Sequence, residues 1–95
     1  MRSFGKYRWV RIGLLGAGTK GKLTAELLKE NKRQFAWYDL NFENFNVPLL
    51  DQKILDFNSM HEDQMLISVY PKQKESLLKF LEEKGYTIGK NAWFL

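Results

Sequence analysis

Apolar and polar positions follow two periods along this chain, two and about 3.6 residues, and these divide it into strands and helices. Residues 6–15, KYRWVRIGLL, begin in alternation and finish apolar. That suits a strand entering the middle of a sheet, with Val10, Ile12 and Leu14 toward the core and Tyr7, Trp9 and Arg11 opposite. A glycine-rich turn follows. Residues 19–31 then predict a helix with Leu23, Leu27 and Leu28 on one stripe and Lys22, Lys29 and Glu30 outside it, ended by the cations of Asn31-Lys32-Arg33. The aromatic density of residues 34–40, QFAWYDL, predicts a second strand, and Asn41 to Val47 reads as a loop. Residues 48–57, PLLDQKILDF, place Leu50, Ile54 and Phe57 at helical spacing behind a proline and predict a short helix, although their second half also alternates as a strand would. Residues 64–70, QMLISVY, are the clearest strand. Pro71 opens a helix over 72–84 with Leu77, Leu78 and Leu81 as its apolar stripe, Gly85 caps it, and a last strand runs through 86–95 with a break at Gly89.

Two successive strand–helix–strand units in one domain, residues 1–95, fit two architectures. The first is an α+β ferredoxin-like two-layer sandwich, antiparallel, with both helices on one face and the extra short helix before the third strand. The second is a small doubly wound α/β sheet covered on both faces, whose strands would be apolar nearly throughout. Thr87, Gly89 and Asn91 on the last strand, and Ser68 on the third, favour one open face and hence the sandwich. Lys90 is awkward there, since it shares a face with Ile88 and Ala92.

Composition narrows the function classes. With 44% apolar and 15% aromatic residues, the 95-residue chain has the material for a packed core. It has no cysteine, so disulfides and thiolate metal sites are excluded, and a cytoplasmic location is the expectation. No apolar run approaches the roughly 20 residues of a membrane span. The net charge of +4 hides an asymmetry: residues 1–38 carry nine Lys/Arg against two acids, whereas residues 39–95 carry six against nine. A basic half attracts phosphate backbones or an acidic protein surface.

Gly16, Gly18 and Gly21 match G-x-G-x-x-G, the run RIGLL precedes them, a helix follows, and Asp39 closes the second strand 18 residues after Gly21. Residues 11–39 therefore resemble the first βαβ unit of the Rossmann dinucleotide-binding oxidoreductases, and a small Rossmann-like α/β sheet is the alternative fold. The resemblance implies that the glycines admit a pyrophosphate to the helix N-terminus and that Asp39 holds ribose hydroxyls. It covers under a third of the chain; the 56 residues after Asp39 offer no second glycine turn and no catalytic set. The same residues nearly form a P-loop, but Leu23 stands where a Ser/Thr hydroxyl would hold Mg²⁺, which argues against an NTPase.

A second constellation follows from the open face. Trp9 and Arg11 on the first strand, Tyr70 on the third and Trp93 on the last would offer stacking platforms and charge, with Lys6, Arg8, Lys20 and Lys22 around them for phosphates. The arrangement is similar to RNA-recognition-motif sheets, without their glycine-aromatic run. His61 lacks partners for catalysis or metal binding, and the carboxylates of Asp51, Asp56, Glu62 and Asp63 follow no oxygen-ligand loop. The expectation is a non-enzymatic binding protein without cofactor or metal, meeting RNA through its basic half. A protein-binding regulator or inhibitor, a homodimer through the aromatics, and a phosphate or nucleotide binder using Gly16, Gly18, Gly21 and Asp39 are the alternatives.

Overall fold

Runs of three to five mainly apolar residues, too short to be stable singly, gain their backbone partners by lying side by side. The computed structural model describes residues 11–69 and 74–95. Its strands and helices are β1 (Ile12–Leu15), α1 (Thr19–Glu30), β2 (Phe35–Asp39), β3 (Ile54–Asp56), β4 (Gln64–Ile67), α2 (Lys74–Glu83) and β5 (Ala92–Phe94), with 3-10 turns at Phe42–Asn44 and Phe57–Ser59. The strand order is β3-β2-β1-β4-β5, and all four pairings are parallel. The chain thus builds outward from β1 through β2 and β3, then returns to the other side of β1 for β4 and β5.

The antiparallel ferredoxin-like sandwich is overturned; the fold is a Rossmann-like α/β sheet. Both faces of the sheet are covered. Neighbouring strand residues point to opposite faces, yet Leu14 and Leu15, and Trp37 and Tyr38, are all fully buried. Leu14, Trp37 and Ile54 pack with Ala17 and with Ala25 of α1, while Leu15, Tyr38, Met65 and Ile67 pack with Leu77 and Leu81 of α2. The polar residues that argued for an open face are not on one. Thr87 to Asn91 form a turn before β5, in which Asn91 Oδ1 accepts from the Thr87 amide at 2.7 Å and Asn91 Nδ2 donates to the Gly85 carbonyl at 3.0 Å. Lys90 lies in the same turn, its amide donating to the Thr87 carbonyl, so its awkward strand register disappears.

Two local expectations are also corrected. The helix predicted over 48–57 is a tight turn, Leu49 and Gln52 bonding each other's backbone around Leu50 and Asp51 at positive φ, followed by β3. Side-chain anchoring outweighs the helical spacing here: Leu49 packs into the α1-side cluster, and Gln52 Nε2 bonds the Phe35 carbonyl at 2.5 Å. In α1, Leu23 and Leu27 are more than half exposed, and the buried residues are Gly21 and Ala25. The small side of the helix faces the sheet because it sits too close for leucines. Among the described residues no helix is long and apolar enough to cross a membrane.

The α2 face carries a buried polar group. Glu62 is 8% exposed, its backbone carbonyl accepts from the Tyr86 hydroxyl at 2.8 Å, and the fully buried Tyr38 hydroxyl has no hydrogen-bond partner of ordinary geometry among the described residues. Burial first, and the Glu62 charge second, push the Tyr86 phenol up to about 12, while burial first and the adjacent Glu62 carboxylate next raise Tyr38 as well. Both phenols therefore keep their protons in the fold where an unfolded tyrosine, near 10.0, has lost its own. Their folded pKa lies above the unfolded one, so their contribution is fully present below pH 10.0 and is lost as pH rises toward about 12. We expect a Tm steady up to the lower value and falling steeply above it, with tyrosinate absorbance rising together with unfolding. A Tm that held through that window would contradict these burial assignments.

Candidate functional site

The order β3-β2-β1-β4-β5 places the reversal of direction between β1 and β4, where open α/β sheets form a crevice at the carboxyl ends of their strands. The turn Gly16 to Gly21 lies at that point, between the end of β1 and the first turn of α1. Its backbone is tightly specified. Gly16 has φ +123°, a conformation that disfavours side chains, and its amide donates to the Tyr38 carbonyl at 2.7 Å. The Gly16 carbonyl accepts from the buried Trp37 indole Nε1 at 2.7 Å. The Ala17 amide donates to Asp39 Oδ2 at 2.8 Å, and the other carboxylate oxygen accepts from the Asn41 amide at 2.7 Å.

The three glycines differ in what surrounds them. A Cβ on Gly21 would lie 2.1 Å from the Gly16 carbonyl oxygen, so this glycine sets the close approach of α1 to β1. A Cβ on Gly16 would lie 2.1 Å from Ser68 Oγ, just beyond β4. At Gly18 no atom of the described residues lies within 4 Å of such a Cβ. It is the N-cap of α1 in extended conformation, without a side-chain cap, and the first turn holds no acid. A helix beginning this way presents amide donors and the positive end of its dipole to the crevice.

Lys20 and Lys22 are both exposed on the first turns of α1, two positions apart and so on different sides of the helix, and Lys20 Nζ donates to the Leu95 carbonyl at 3.1 Å beyond β5. Asp39 is where the sequence placed it, at the end of β2, and it reaches the turn. Arg11 does not join them. It precedes β1 at the opposite, amino-terminal end of the strands, where its backbone amide bonds Asp63 Oδ2 at 3.1 Å. There it lines a cleft of about 530 Å³ with Lys32, Arg33, Phe35 and Glu62. Trp93 is half-buried on edge strand β5, in register with Leu66. Lys6, Arg8, Trp9 and Tyr70 lie outside the described residues.

Trp37 was missed as a contributor to this site. The signal available was period two: Trp37 and Asp39 share a face of β2, and a strand paired beside β1 aims that face at whatever follows β1. An indole, which only donates, then needs an acceptor when buried, and the Gly16 carbonyl supplies it.

No protein-family model matches the chain, and no curated protein does. Among solved structures, it is similar to the crystal structure of RSP, a Rex-family repressor, with TM-score 0.64 and 15% sequence identity, covering 95% of this chain and 53% of that chain. The chain thus spans about half the length of that repressor. At this identity the likeness establishes the parallel, Rossmann-like α/β fold.

Proposed function

We propose that this chain is a binding protein for a phosphate-bearing nucleotide, received at the Gly16–Gly21 turn with the phosphate on the N-terminus of α1. The observation that carries this reading is that no described residue fills the space in front of Gly18, at a helix N-terminus without a side-chain cap on the sheet's reversal point. Lys20 and Lys22 add positive charge to the first turns of α1. An oxidoreductase's hydride transfer is not part of the proposal, which concerns binding alone.

The test is thermal unfolding with ADP, NAD or pyrophosphate, alongside a Gly18→Val variant. A ligand at 100 times its Kd stabilises by about 2.7 kcal/mol. The added side chain meets no atom of the described residues and Gly18 has φ −79°, so the variant is expected to fold at a cost of about 1 kcal/mol for a poorer cap. We expect ligand to raise the wild-type Tm and to leave that of Gly18→Val unmoved. Absence of any shift at millimolar ligand would remove this reading.

A second reading, a regulator meeting nucleic acid, draws support from the basic balance of residues 1–38 and from the repressor among similar structures. Its mark would be oligonucleotide binding whose log affinity falls linearly with log salt. Such binding, indifferent to Gly18→Val, would favour it over the nucleotide reading.

A further inference from the structure

We infer that Trp37 and Asp39 are positioning residues that clamp one peptide unit of the turn, and that Asp39 serves the phosphate subsite through this clamp rather than as a ribose ligand. The inference rests on the nucleotide-binding reading above. The Gly16 carbonyl and the Ala17 amide belong to the same planar peptide and point in opposite directions, since the bond is trans. Trp37 holds the carbonyl at 2.7 Å and Asp39 holds the amide at 2.8 Å, both in buried bonds from one face of β2. Held on both polar atoms, this peptide cannot flip, and the direction in which the chain enters Gly18 and the first turn of α1 is set before any ligand arrives. Preorganisation of this kind removes an ordering cost from binding.

The same bonds occupy Asp39. Oδ2 accepts from Ala17, Oδ1 accepts from Asn41 at 2.7 Å, and the residue is 8% exposed. A carboxylate aimed at sugar hydroxyls would present its oxygens outward, whereas this one faces the protein's own backbone. The ligand class that follows is one recognised through its phosphates, with little discrimination by its ribose hydroxyls.

Calorimetric titration of pyrophosphate and of ADP into wild type, Asp39→Asn and Trp37→Phe separates the two roles. Asparagine keeps the shape but turns an NH₂ toward one of two amide donors, and phenylalanine keeps most of the volume but loses the indole N–H. The clamp predicts that both variants weaken both ligands by similar factors, on the order of tenfold, equivalent to 1.4 kcal/mol. A ribose ligand predicts instead that Asp39→Asn weakens ADP alone and that Trp37→Phe, whose side chain is fully buried, changes neither; that result overturns the inference. If wild type binds neither ligand, the nucleotide reading fails by itself. The clamp is then judged by amide hydrogen exchange at Ala17 in the free protein, which should quicken on the order of tenfold in Trp37→Phe and would refute the clamp by staying unchanged.

Discussion

Gly21→Ala is expected to destabilise the fold by about 2 kcal/mol or more, although alanine is the better helix former by about 1 kcal/mol. The new Cβ would sit 2.1 Å from the Gly16 carbonyl oxygen and 2.7 Å from its carbon, with Ser68 Oγ at 2.9 Å. The first two are backbone atoms, in a peptide held by Trp37, and they have nowhere to go. The helix itself must move off β1, loosening Ala25 from Leu14 and Trp37. For a domain of this size each kcal/mol lowers Tm by about 4–8 °C, so thermal melting should show a fall of about 10 °C. Gly13→Ala is the control, because its Cβ meets the Met65 thioether at 2.4 Å, the far end of a flexible side chain. Equal losses in the two variants would show that the close approach at Gly21 is not what limits helix packing.

The glycine turn, α1 and Asp39 were legible in the sequence because their signals are local: an apolar strand, a spaced set of glycines, a helical period and an acid at a strand end. Strand direction was not. It depends on pairings between residues far apart in the chain, and β3 and β5 are only three residues long, too short to show a period. Thr87, Gly89 and Asn91 therefore passed for strand residues with an open face, when they make a turn held by the Asn91 side chain. In α1 the leucine stripe was a strong amphipathic signal and still misled, since the distance to β1 is set by Gly21 and admits Ala25 but not Leu23 or Leu27. The site was half legible for the same reason. The glycines and Asp39 announce themselves by spacing, whereas the hydrogen bond from Trp37 needs the register of β2 against β1, in which Leu14 faces Trp37.

Trp37→Ala should have the largest effect of any single truncation. The side chain is fully buried, it packs with Leu14, Ala17, Ala25 and Ile54, and its ring lies 6.0 Å from that of Phe35. Removing a buried tryptophan costs about 3–5 kcal/mol through lost burial and the cavity left behind. The Gly16 carbonyl also loses its donor, a further penalty of about 1–3 kcal/mol where water does not reach it. Against a total stability of about 5–15 kcal/mol, these together bring the protein near its unfolding threshold. We expect urea denaturation to show a sharply lowered midpoint, with Trp37→Phe recovering most of the packing part and little of the hydrogen-bond part. An unfolding free energy for Trp37→Ala within about 1 kcal/mol of wild type would contradict the burial assigned to β2.

Whether an anion is received at the start of α1 is read from the ¹⁵N–¹H spectrum of the protein titrated with ADP. Saturable shifts are expected at the backbone amides of Gly18, Thr19 and Gly21, with weaker ones at the neighbouring Ala17 and Asn41 and none around Arg11 at the opposite end of the strands. Shifts confined to Arg11, Lys32 and Arg33, or none at millimolar ADP, would contradict anion binding at the start of α1.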